Sequence, residues 1–320
     1  MLTDRHTRRG FLGLSGLSAL SVLLAACGGG DAAPAAETAI ESPEEALERL
    51  LQGNARYVAD KSLPINEGKA RREKVATRQR PFATIFSCVD SRVPPELVFD
   101  RGLGDLFVVR TAGEVVDTAV LGSIEYGIGE LEIPLVVVLG HSACGAVKAT
   151  VASLATGEKP EAEIAYLVDG IAPAVTKAKE KLKPAPSTKK KKTAATTTTV
   201  AEGEAAASKE SPTTTVAAAD ADPNAALVTA TIEVNVELVV ERLKALPMLA
   251  EKIKKERLLI AGGVYDLESG EVKITVGMPE ELQKKLDEAA AKKSGAKEGE
   301  ATTVAEGSSK EATTTTKKEG

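Results

Sequence analysis

The 320-residue chain has no tryptophan, and aromatic residues make up only 3% of it. With so few large rings, its Ala-, Thr-, Lys- and Glu-rich stretches cannot bury a core, so a length that could house two domains is better read as one domain with long unstructured additions. Charge of one sign is lacking too. The net charge is -5, and acidic and basic residues are mixed along the chain, which excludes the basic footprint that nucleic acid requires. Cysteine and histidine are scarce, at three and two residues.

What is present begins with a targeting segment. Arg5, Arg8 and Arg9 precede an apolar run from Phe11 to Ala26, short for a bilayer span and suited to a signal peptide over residues 1–26. Arg8-Arg9 followed by Phe11-Leu12 resembles a twin-arginine export signal. Leu24-Ala25-Ala26-Cys27 resembles a bacterial lipobox, which implies lipidation of Cys27, a flexible tether over 27–41 and a mature protein anchored on the outer face of the cytoplasmic membrane. The competing readings are an ordinary secretory signal or an uncleaved anchor. If the signal is removed and Cys27 carries lipid, Cys88, Cys144 and His141 are the soft ligands that remain.

From Ser42, SPEEALERLLQGNARYVAD has a capping serine, a proline at the first helical position, early acids and leucines at helical spacing. Residues 66–80 read as a charged helix ending before Pro81. Three runs, FATIFSC (82–88), DLFVVR (105–110) and PLVVVLG (134–140), are short and nearly unalternated, as strands covered on both faces should be. The helical pattern over 117–131 supplies a crossover between the last two, so the sequence predicts an α/β fold with a mainly parallel sheet flanked by helices. Helices follow over 144–157, 161–182, 223–246 and 247–255, then an added C-terminal strand pair in RLLIAGGVYDLESGEVKITVG and a last helix from Pro279. The folded domain is expected over 42–292. A low-complexity insertion at about 183–222 and a tail over 293–320, which share the hexapeptide TTVAEG, need no fold, and Lys189–Lys192 reads as a solvated charge run.

In a parallel sheet, ligands bind beyond the carboxyl ends of the strands. Cys88 ends one strand, His141 follows another, and Cys144 opens the next helix. A Cys-His-Cys set of this kind suits a tetrahedral zinc ion with one open position, the catalytic pattern; a structural zinc would need a fourth ligand that the mature chain lacks. Two thiolates make zinc-bound water less acidic than three imidazoles would. Asp90 and Arg92, sharing a face with Cys88 on an extended segment, can compensate: the carboxylate orients the zinc-bound nucleophile, and the guanidinium holds the carboxylate. The plain alternative for two thiols in an exported protein is a Cys88–Cys144 disulfide, which leaves Asp90, Arg92 and His141 without a purpose.

Cys88-x-Asp90-x-Arg92 with His141-x-x-Cys144 resembles the β-class carbonic anhydrases, and the likeness continues through LLQGNARYV, FVVRTAGEVVD, GSIEYGIGEL and GGVYDLESGEV. The resemblance implies one zinc per subunit on Cys88, His141 and Cys144, an Asp90–Arg92 dyad, and reversible hydration of carbon dioxide to bicarbonate by attack of zinc hydroxide. It implies that Gln79 donates to the substrate oxygens and that Phe107 and Tyr126 line an apolar pocket, in part across the interface of a homodimer or larger homo-oligomer. Thr111 stands where many members carry asparagine. Two other readings of the same residues are hydrolysis of carbonyl sulfide or carbon disulfide, and a non-enzymatic zinc-binding envelope protein.

Overall fold

Among the described residues, five strands form one sheet: β1 (Ala83–Cys88), β2 (Leu106–Thr111), β3 (Leu135–His141), β4 (Leu259–Tyr265) and β5 (Val272–Val276), in the spatial order β2-β1-β3-β4-β5. The first four are mutually parallel, and β5 closes one edge antiparallel to β4. The computed structural model describes residues 39–183, 224–289 and 291. The signal segment, the lipobox with Cys27, nearly all of the tether and of the low-complexity insertion, and the tail lie outside the described residues.

Every residue of β1 and β3 is buried, because alternate side chains enter two different cores. Ile85, Val137 and Leu139 pack with Leu47, Leu50 and Phe99 on one face; Phe86, Val136 and Val138 pack with Ile124, Val236 and Leu243 on the other. That division explains why the runs look unalternated in sequence. The C-terminal strand pair forms a hairpin within this same sheet, since β4 pairs parallel with β3 from Leu135↔Leu259 to His141↔Tyr265.

Helix α1 (Pro43–Val58) starts as its sequence predicts: Ser42 Oγ accepts the Glu45 N–H at 3.1 Å, and Pro43 occupies the first turn. The charged helix α2 is shorter than expected, Gly68–Val75. It buries no residue, so nothing sustains it once the chain must extend toward β1, where the Phe82 N–H reaches the Asp105 carbonyl at 2.9 Å. Two short elements had no signal in the sequence, the single turn α3 (Pro95–Val98) and the 3-10 turn Ala112–Glu114 after β2. The remaining helices match their patterns: α4 (Thr118–Gly129), α5 (Gly145–Thr156), α6 (Ile164–Lys181), α7 (Ala225–Lys244) and α8 (Pro247–Lys254), with residues 280–289 also helical. Helix α7 lies against β3 at Gly140, where an added Cβ would come within 2.8 Å of Val236.

Three buried hydrogen bonds tie α1 to distant parts of the chain. Asn54 Nδ2 donates to the carbonyls of Val98 (3.1 Å) and Gly270 (2.8 Å), and its Oδ1 accepts the Val272 N–H at 2.9 Å. Asp100, also buried, accepts from Arg56 Nε at 2.5 Å and from the Leu63 N–H at 3.0 Å.

Candidate metal centre

Cys88 is the last residue of β1 and His141 the last of β3; the register Ser87↔Leu139 makes them leave the sheet at adjacent strand ends. Beyond His141 the chain turns sharply through Ala143, whose φ is 57°, and this brings Cys144 back as the N-cap of α5. The turn is pinned to the β4–β5 hairpin, since the Ser142 N–H donates to the Tyr265 carbonyl at 2.8 Å and Ser142 Oγ accepts the Leu267 N–H at 2.9 Å. All three candidate ligands are buried, and their donor atoms lie within 4.8 Å of one another.

The donor chemistry fits a zinc ion. His141 Nδ1 lies 2.9 Å from the Ser142 carbonyl; donating its proton there leaves Nε2 as the acceptor, and Nε2 is buried without a hydrogen-bond partner. Both cysteines are free, so the disulfide reading does not hold. A hydrogen bond from the Cys144 thiol, against opposing burial, holds Cys88 far below the ordinary thiol range, with help from His141 and the Gly113 and Asp90 backbones. That same bond, then burial, pushes Cys144 up. The two sulfurs are thus hydrogen-bonded to each other, and a divalent cation bound there would favour both as thiolates. Val115, Val147, Val151, Ile171 and Ile232 form an apolar shell around the pair.

Asp90 and Arg92 meet, by a route different from the extended face the sequence suggests. The strand ends at Cys88, and a turn at Ser91–Arg92 brings the Arg92 N–H to Asp90 Oδ1 at 3.0 Å. The guanidinium then grips the carboxylate with two parallel bonds, Nε to Oδ1 at 2.9 Å and Nη2 to Oδ2 at 2.7 Å. The Arg92 side chain, with its backbone N–H and the nearby His141 adding to it against a modest burial effect, holds Asp90 well below the usual carboxylate range. Its Oδ2 is 3.8 Å from His141 Nε2, beside the donor set.

The three residues expected at the substrate pocket have the following places in the chain. Gln79 is exposed on the connection between α2 and β1. Phe107 pairs in register with Thr84, four positions before Cys88, which places it about 13 Å along the sheet from the level of that ligand. Its ring meets that of Tyr126 at 6.4 Å, tilted by 36°, and Tyr126 is 51% exposed.

Sequence reasoning missed several residues around the site. The Gly113 N–H donates to Cys88 Sγ at 3.4 Å from a left-handed conformation, φ 62°, in which a Cβ would strike Ile171 at 2.6 Å. Asn235 Nδ2 holds the Gly113 carbonyl at 2.9 Å. Glu114 is fully buried, with Oε1 unpartnered and Oε2 3.5 Å from Asn235 Nδ2. Arg110 donates from Nε to the Cys88 carbonyl at 2.8 Å and from Nη2 to the Asp90 carbonyl at 2.6 Å. A lone charge inside FVVRT was the available signal for Arg110; the others carry none.

A family profile described as carbonic anhydrase matches residues 83–213. Carbonic anhydrase from Mycolicibacterium smegmatis (strain ATCC 700084 / mc(2)155) is 51% identical over 134 residues, covering 42% of this chain and 65% of that protein. Carbonic anhydrase from Pseudomonas aeruginosa is 30% identical over 207 residues, covering 62% of this chain and 76% of that one. Among solved structures, the Coccomyxa β-carbonic anhydrase in complex with acetazolamide is 23% identical and aligns with a TM-score of 0.48, covering 63% of this chain and 75% of that chain. The chain belongs to the carbonic anhydrase family. It spans 65% of the length of the Mycolicibacterium smegmatis relative.

Proposed function

We propose that the protein catalyses reversible hydration of carbon dioxide to bicarbonate and a proton. One observation carries this reading: three buried soft donors within 4.8 Å of one another lie beside a carboxylate that is itself gripped by a guanidinium. Cys88, His141 and Cys144 would hold one zinc ion, whose Lewis acidity would lower the pKa of water toward neutrality. Asp90 remains ionised under the Arg92 fork, so it accepts a hydrogen bond from water at the donor set and aims the oxygen lone pair. Arg92 spends both bonds on that carboxylate and fixes its plane. The apolar shell of Val115, Val147 and Ile171 excludes bulk water from the sulfurs and suits a nonpolar substrate.

The pocket is completed by a second copy of the chain. Phe107 lies about 13 Å along the sheet from the level of its own Cys88, its ring meets that of the exposed Tyr126, and every residue of edge strand β2 is only partly buried. A partner subunit would cover that edge and bring Gln79, Phe107 and Tyr126 to the opposite centre. The sequence also supports export by the twin-arginine route and a lipid on Cys27, which would tether the enzyme to the membrane. Metabolic labelling with a radiolabelled fatty acid tests the anchor: Cys27→Ser abolishes incorporation if it is right, and unchanged labelling sinks it.

The decisive experiment measures bound zinc and carbon dioxide hydration on the same purified sample. One zinc per subunit with fast hydration is the expected result. Zinc without hydration, or turnover of carbonyl sulfide alone, would overturn it.

A further inference from the structure

Among the described residues, the segment carrying Cys88 and Asp90 is tied to β2 beyond the end of β1 by very little backbone. The Val89 N–H reaches the Thr111 carbonyl at 3.2 Å, and Val89 itself is 53% exposed. Apart from the Gly113 N–H on the Cys88 sulfur, what β2 adds to the hold is one side chain. Arg110, opposite Ser87 in the β1–β2 register, donates to the carbonyl of a zinc-ligand candidate and to that of the dyad aspartate, on either side of Val89.

We infer that Arg110 is a positioning residue: its guanidinium fork holds the Cys88 and Asp90 carbonyls and so fixes the Asp90 carboxylate relative to the metal donors. The inference rests on the proposed hydration reaction. Without the fork, the Asp90 carbonyl would keep only the Val93 N–H at 3.1 Å, a bond within its own turn, and the stretch between the exposed Val89 and the buried Val93 would be free to shift. Arg92 cannot substitute, because its bonds to Asp90 are internal to the moving piece. Geometry rather than charge is what matters here. A lysine keeps the positive charge but has a single nitrogen, which cannot reproduce a rigid two-point hold.

The test uses the full-length, zinc-loaded protein with Arg110→Lys and Arg110→Gln, each made alone and in an Asp90→Asn background. Bound zinc, hydration kcat and amide hydrogen exchange over residues 89–92 are measured. Both single variants should keep their zinc, lose kcat by about ten-fold or more, and exchange faster over 89–92 while β3 is unaffected. In the Asp90→Asn background the same substitutions should change kcat by less than about two-fold, because the carboxylate they position is already gone.

Full activity in Arg110→Lys, unchanged exchange, or equal kcat losses in both backgrounds would each overturn the inference. If both single variants lose zinc or fail to fold, Arg110 supports the strand rather than the dyad, and the inference again fails. Should the unmodified protein bind zinc yet not hydrate carbon dioxide, the functional proposal falls while the exchange measurements still decide whether Arg110 holds the segment.

Discussion

Asp90 Oδ2 stands 3.8 Å from His141 Nε2, while both oxygens of the same carboxylate are occupied by the Arg92 fork. A carboxylate so placed is beside the donor set without being committed to it. Replacing it with asparagine keeps the shape and removes the charge and one acceptor. Asp90→Asn should lower the hydration rate by about 100-fold or more with zinc content unchanged, the range expected when a positioned proton acceptor is lost. Stopped-flow hydration with elemental analysis checks it, and an unchanged rate refutes the assigned role.

Metal removal should expose a reactive sulfur. In the stripped protein the thiol–thiol hydrogen bond favours the ionised form at Cys88 and opposes it at Cys144, so alkylation near pH 7 should modify Cys88 before Cys144. Zinc at 100 times its dissociation constant should protect both thiols and stabilise the fold by about 2.7 kcal/mol. Peptide mapping by mass spectrometry and a melting curve provide the readouts; preferential labelling of Cys144 would contradict this account.

Glu114 should make stability depend on pH. Burial, with the negative Cys88 nearby and Asn235 opposing, raises its pKa well above the ordinary value. A carboxyl raised on folding contributes stability at low pH, and that contribution is lost as pH rises from about 4.3 through the folded-state value. Glu114→Gln keeps a polar group facing Asn235 and cannot ionise. It should be more stable than the parent at pH 7, with the advantage vanishing near pH 4. Urea titrations across that range check it, and a pH-independent difference would count against it.

Asn54→Ala should cost about 3 kcal/mol, since it removes three hydrogen bonds and leaves buried carbonyls and an N–H unpaired. The loss would appear as a lower denaturation midpoint. A change under about 0.5 kcal/mol, the level of a neutral surface substitution, would show that water replaces the amide.

The sheet was legible in the chain because β1 and β3 are buried on both faces and so read as continuous apolar runs bounded by turns. The candidate ligand set was legible because Cys88 and His141 close strands and Cys144 opens the helix that follows. What escaped were contacts made through the backbone. Nothing in the letters of Gly113 announces an N–H aimed at sulfur, and Asn54 sits in a helix whose spacing looks ordinary, yet its partners are as many as 218 positions away. The Ser91–Arg92 turn was missed because strand alternation alone also puts Asp90 and Arg92 on one side; the Asp90 side chain, by capturing the Arg92 N–H, ends the extended run.

The parallel pairing of β1 with β3 has a bearing on how the protein matures. Unlike the β4–β5 hairpin, that pairing joins segments separated by two helices, a strand and several loops, and it is what carries Cys88 to His141 and Cys144. Until it forms, a newly made chain offers any passing cation only the short His-x-x-Cys half of its grip. Both sulfurs stay open to oxidants for that whole interval. Biogenesis of this molecule is therefore a race between sheet closure and oxidation, and reducing surroundings favour the productive outcome.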